Sequence, residues 1–86
     1  MTETKTNGNR SPQLNEFLTD LGTRVRDMRK TNRLSQVDLA SAAGLDRAYL
    51  SGVENGKHNV TVGALLRLSA ALKVEPASLM STHQDR

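Results

Sequence analysis

Cysteine and tryptophan are absent from these 86 residues, and Phe17 and Tyr49 are the only aromatic side chains. Without cysteine no disulfide can staple the chain and no thiolate can hold zinc. Two rings are too few for a row of stacking platforms along single-stranded nucleic acid. No apolar run reaches the ~18 residues that suggest a membrane span, and nothing after Met1 reads as a secretion signal. A soluble, cytoplasmic chain is therefore expected, and a lack of cysteine suits a reducing compartment. Strand signals are also missing. No alternating β-branched run lies between turn pairs, and Asn55-Gly56 follows helical spacing, so it reads as a loop.

Signatures of catalysis are equally scarce. His58 and His83 have no metal-ligand spacing, no serine sits in a nucleophile motif, and no glycine-rich phosphate loop is present. We expect no enzyme, no cofactor, no metal site, no membrane partner and no small-molecule ligand.

What the chain does have is helical punctuation. Residues 1–10 lack apolar periodicity and read as a disordered tail, and residues 82–86 as a frayed end, which leaves one domain over 11–81. Ser11-Pro12 starts a helix, with serine as cap and proline where its missing N–H costs nothing. Leu14, Phe17, Leu18, Leu21, Val25 and Met28 then recur at helical spacing to about Thr31-Asn32. Gly22 on this helix is either a weak point or a site of close packing. Ser35, Asp46 and Thr61 are three further N-caps. Each is preceded by an apolar residue (Leu34, Leu45, Val60) and followed four positions on by another (Leu39, Leu50, Leu65), the spacing of a hydrophobic staple. Ser35 also has Asp38 at the capping-box position. A short fifth helix can begin at Glu75-Pro76. The expected fold is all-α, a compact five-helix bundle.

The second and third helices carry the functional signal. Ala40 is small enough for two axes to approach, Gly44 can turn the chain in a left-handed conformation, and Leu50 and Val53 set one face of the third helix inward. Two short helices then cross through a tight turn over residues 36–55, the arrangement that lays the second helix in a DNA major groove. With Leu50 and Val53 inward, Arg47, Ala48, Ser51 and Gly52 face outward. Arginine can donate twice to guanine, alanine can touch a thymine methyl, and serine suits several base edges, while Gly52 would let the helix approach closely. Arg33, Ser35, Gln36, Tyr49, Asn55, Lys57, His58 and Asn59 frame this face as candidate contacts to the DNA backbone. For Tyr49 a place partly packed in the core is the equal alternative.

Net charge is +3, and Arg24, Arg26, Arg29, Lys30 and Arg33 cluster against one acid, Asp27. That cluster fits an acidic partner or a solvated helix face. Arg24 and Arg26 lie further from the reading face and would add field rather than contacts.

The stretch from Met28 to Val74, MRKTNRLSQVDLASAAGLDRAYLSGVENGKHNVTVGALLRLSAALKV, resembles the Xre/Cro/phage-repressor helix-turn-helix family, over about residues 21–80. The resemblance implies a lambda-repressor-like DNA-binding domain. It further implies an ion pair between Arg29, late in the first helix, and Glu54, at the end of the third. The run from Leu45 to Glu54, with Asn59 soon after, is similar to the controller proteins of restriction–modification systems. That narrower likeness implies a stand-alone homodimer on a palindromic operator, acting in a bacterial or phage context at the nucleoid on its own gene and the endonuclease gene. It also implies base reading by Arg47 and Ala48 and backbone contact by Tyr49, Ser51 and Asn59.

A dimer is expected on physical grounds too, because one domain makes few base contacts and a two-fold pair doubles them. The apolar residues that follow the third helix exceed one face of a short helix. Leu72, Val74, Ala77, Leu79 and Met80 are the candidate interface, with a flank of the fourth helix, although most of this surplus must serve the core. Two other readings compete: an antitoxin or adaptor that keeps the fold for protein contacts, and a non-specific nucleic-acid binder.

Overall fold

Side-chain caps open three of the helices in the computed structural model, which describes residues 11–81. The helices are α1 (Pro12–Thr31), α2 (Gln36–Ala43), α3 (Arg47–Glu54), α4 (Val62–Leu72) and α5 (Pro76–Met80), and no strand occurs among the described residues. Ser11 Oγ accepts from the Leu14 N–H at 3.0 Å, and Thr61 Oγ1 from that of Ala64 at 3.0 Å. Ser35 closes a full capping box: its hydroxyl accepts from the Asp38 N–H at 2.9 Å, and Asp38 Oδ2 accepts from the Ser35 N–H at 3.0 Å. Asp46 stands at the N-cap of α3 with extended backbone, but its carboxylate makes no capping bond. The tail expected over 1–10 and the frayed end over 82–86 lie outside the described residues.

Helix ends repeat one device. Arg33, Gly44, Gly56 and Lys73 all have φ between 60° and 73°. At each, the following residue's N–H reaches back five positions, for example Leu45 to the Ala40 carbonyl at 2.8 Å and Val74 to Ser69 at 3.0 Å. This satisfies carbonyls that a helix end would leave free. The left-handed turn at Gly44 sends α3 across α2.

The core runs through the bundle. Leu18, Leu21 and Val25 come from α1, Leu39, Ala40 and Ala43 from α2, Leu50 and Val53 from α3, Leu68 and Leu72 from α4, and Leu79 from α5. The staple residues Leu34, Leu45, Val60 and Leu65 pack against it. Gly22 is a close-packing point. A Cβ there would run into the Val53 carbonyl oxygen and come within 2.7 Å of that of Glu54. Only a glycine lets α1 lie this near the end of α3.

Two residues of the expected dimer interface belong to this core instead. Leu72 is 2% exposed and Leu79 1%. The turn at Lys73 folds α5 back onto α1 and α4, which buries both leucines within their own chain. Val74 is half-buried, while Ala77 and Met80 are exposed. Large apolar side chains left outside are Val62 and Leu66 on α4, 71% and 50% exposed, Met80 on α5 at 46%, and Val37 on α2 at 58%.

Candidate nucleic-acid interface

The third helix is held from behind by one buried carboxylate. Glu54 lies in the core side of α3, and Arg29 grips it with two bonds, Nε to Oε2 at 2.7 Å and Nη2 to Oε1 at 3.0 Å. Such a fork-to-carboxylate pair fixes direction as well as distance. The remaining Arg29 nitrogen, Nη1, donates to the Leu34 carbonyl at 2.9 Å. Gln36 Nε2 adds a third donor to Glu54 Oε1 at 3.1 Å. Arg26 stands one turn before Arg29, with its Nε 3.8 Å from Oε1. Its Nη2 donates to the Glu54 carbonyl at 3.1 Å and to Asn55 Oδ1 at 3.2 Å. Burial pushes the Glu54 carboxyl up. The hydrogen bonds from Arg29 and Gln36, with the charges of Arg29 and Arg26, more than offset this and hold it below its ordinary value. The same bond to Glu54 raises Arg29 against its own burial.

Arg26, expected to add field rather than DNA contacts, makes these contacts within the protein. Two expected DNA-backbone contacts also turn inward. Gln36, expected at the DNA backbone, turns an amide N–H inward because a buried carboxylate needs donors. Asn55, expected there too, uses both ends of its amide within the protein: Oδ1 accepts from Arg26 and Nδ2 donates to the Ser51 carbonyl at 2.9 Å. Ser35 is likewise spent on its own helix start.

The opposite side of α3 is open. Arg47 and Ala48 are exposed in its first turn, and Ser51 is half-buried one turn on. Gly52 departs from expectation. A Cβ there would collide with the His58 imidazole, so a loop side chain and not open space covers it. His58 in turn stacks on Tyr49, with ring centroids 4.9 Å apart and planes 11° from parallel. Tyr49 is half-buried and packs against the core. Arg33, Lys57 and Asn59 are exposed.

The arrangement presents one arginine, small side chains and flanking cations on a rigidly backed helix. It offers hydrogen-bond donors to an anionic, grooved partner. Among the described residues no group of histidines and acids could hold a metal ion, and no helix is long and apolar enough to cross a membrane.

Known proteins share this architecture. Residues 20–80 match the family model described as a helix-turn-helix domain. Control protein C.SmaI of Serratia marcescens is 39% identical over 61 residues, which span 71% of this chain and 73% of that one. The crystal structure of the restriction–modification controller protein C.AhdI from Aeromonas hydrophila matches with a TM-score of 0.71 and 45% identity, over 72% of this chain and 94% of that one. The biofilm regulator SinR, solved in complex with DNA, matches with a TM-score of 0.67 and 34% identity, over 71% of this chain and 98% of that one. With the two-helix unit at residues 36–54 backed by its arginine–glutamate hub, the chain belongs to the helix-turn-helix family of transcription regulators, DNA-binding proteins and not enzymes.

Proposed function

We propose that this chain is a restriction–modification controller: a homodimer that reads a palindromic operator and regulates its own gene together with an endonuclease gene. It works in the cytoplasm, on the nucleoid. The observation that carries this reading is the exposed Arg47–Ala48–Ser51 face on a helix held in place through Glu54. Arg47 donates to a guanine edge, Ala48 meets a thymine methyl, and Ser51 reaches a base edge. Arg33, Lys57, Asn59 and the Tyr49 hydroxyl contact phosphates, which set register and orientation. The likeness to C.SmaI and C.AhdI supports the controller role.

The homodimer uses apolar surface that the fold leaves outside, Val62 and Leu66 of α4 with Ala77 and Met80 of α5, beside half-buried Val74. Two copies related by a two-fold axis bring two α3 helices to successive major grooves.

Selection of bound sequences from random duplex DNA tests the reading. The expected result is a two-fold symmetric motif with half-sites about one helical turn apart, which recurs upstream of the protein's own gene. A non-specific binder enriches no motif and shows only a steep salt dependence. An adaptor or antitoxin that has given up DNA recovers nothing.

A further inference from the structure

The loop between α3 and α4 is not an independent arm. The Lys57 N–H donates to the Gly52 carbonyl at 2.9 Å, so the chain turns straight back over α3 as it leaves the helix. The next residue, His58, then lays its ring where a side chain at position 52 would stand. The same ring meets Tyr49 in a near-parallel stack. Gly52 and Tyr49 are three positions apart and so lie on neighbouring parts of one helix face. A single imidazole therefore spans both.

We propose that His58 is a positioning residue of the DNA-contacting surface: its ring, seated on Gly52 and stacked on Tyr49, fixes the tyrosine and the Lys57–Asn59 loop as one rigid unit with α3. The inference rests on the DNA-binding reading. Lys57 and Asn59 flank His58 in sequence and are exposed, so the place of their side chains follows from where the ring sits. Tyr49 gains a fixed ring plane, and with it a fixed direction for its hydroxyl. The glycine at 52 is explained by the seat and not by the approach of DNA. Any side chain there evicts the imidazole, and because that ring is the end of a flexible side chain, eviction leaves the helix itself intact. Holding contacts in place before binding lowers the ordering cost at the moment of association.

The chain provides its own reporter. Tyr49 is the single tyrosine and tryptophan is absent, so intrinsic tyrosine emission of the full chain reads this stack. His58→Ala and Gly52→Ala should each change that emission in the same direction, and the double variant should change it no further. Binding is measured on the duplex recovered by the wild type from random DNA. Each single variant should bind it about 2–10-fold more weakly, the range of a stacked aromatic pair. The double variant should lose no more than one single variant does, since both act through one contact. His58→Phe, which keeps a ring but no nitrogens, should stay within about two-fold of wild type.

Unchanged emission in His58→Ala would overturn the stack. Changed emission with undiminished binding would overturn the positioning role. A His58→Phe variant as weak as His58→Ala would mean direct contact of the imidazole nitrogens with DNA, and a Gly52→Ala penalty that persists without His58 would mean that the methyl meets the duplex; either overturns the proposal. If the wild type itself recovers no sequence while the emission changes still appear, the DNA-binding reading fails and takes the positioning role with it.

Discussion

Arg29 and Glu54 join the end of α1 to the end of α3 through two hydrogen bonds, one to each carboxylate oxygen, of 2.7 and 3.0 Å. Their net contribution need not be large, because both charges leave water to meet. Their loss is another matter. Glu54→Gln leaves the Arg29 guanidinium without its countercharge and should destabilise the protein by about 3–5 kcal/mol. Arg26→Ala, at the hub's more exposed edge, should cost no more than about 1 kcal/mol. Urea unfolding of both variants checks the order, and equal losses would show that the hub is not centred on Arg29.

Acid should weaken the same hub. The folded-state Glu54 carboxyl lies below its ordinary value of 4.5. An unfolded chain therefore binds the proton first, and stability falls as pH drops from about 4.5 toward the folded value. The contribution is fully present above that window. Comparing urea midpoints at about pH 6 and pH 3 should show a loss in the wild type that is smaller in Glu54→Gln. Asp38, held low by its bonds with Ser35, adds a loss of the same sign in both proteins.

Gly22 and Gly63 should respond oppositely to alanine. At Gly22 the new methyl meets α3 backbone that cannot swing aside, and α1 must shift, at a cost of about 1–3 kcal/mol or more. At Gly63 the nearest atom to a new Cβ is Thr61 Oγ1 at 3.9 Å, so helix propensity alone acts. Gly63→Ala should leave stability unchanged or raise it by up to about 1 kcal/mol. Thermal unfolding of the pair measures both signs.

Dimerisation can be separated from folding because Leu66 is exposed in the single chain. Leu66→Glu should leave the unfolding free energy of the isolated protomer within about 0.5 kcal/mol, the range of ordinary surface changes. It should also turn a dimer into a monomer by light scattering. A wild type that is monomeric with and without its selected duplex would contradict the interface on α4 and α5.

The sequence carried the helices because their ends are chemical. Serine, threonine and proline at starts, and glycine at two of the ends, mark where backbone groups need outside partners. The left-handed turns at Arg33 and Lys73 were not visible in this way, since neither residue type favours them. The Arg29–Glu54 contact is legible through family likeness, while Arg26, three positions before Arg29 on the same helix face, carries no mark in the sequence of its part in it. Leu72 and Leu79 are core and not interface, and apolar surplus alone does not say which way a five-residue helix folds back. In the sequence Gln36 and Asn55 are amides open to a DNA backbone. Only the assembled fold puts a buried carboxylate beside one and a helix end beside the other. Gly52 points outward on α3, but a helical projection contains no loop, and it is the loop that sets His58 over it.

Binding by Arg47→Ala to the duplex selected by the wild type tests the central claim, that the exposed face of α3 reads DNA sequence. The expected loss is about 1–3 kcal/mol, roughly 5–150-fold, together with relaxed discrimination at one base position per half-site. Lys57→Ala, measured beside it, should weaken all duplexes alike and lower the salt slope by about one. Wild-type affinity and unchanged base preference in Arg47→Ala would contradict the claim.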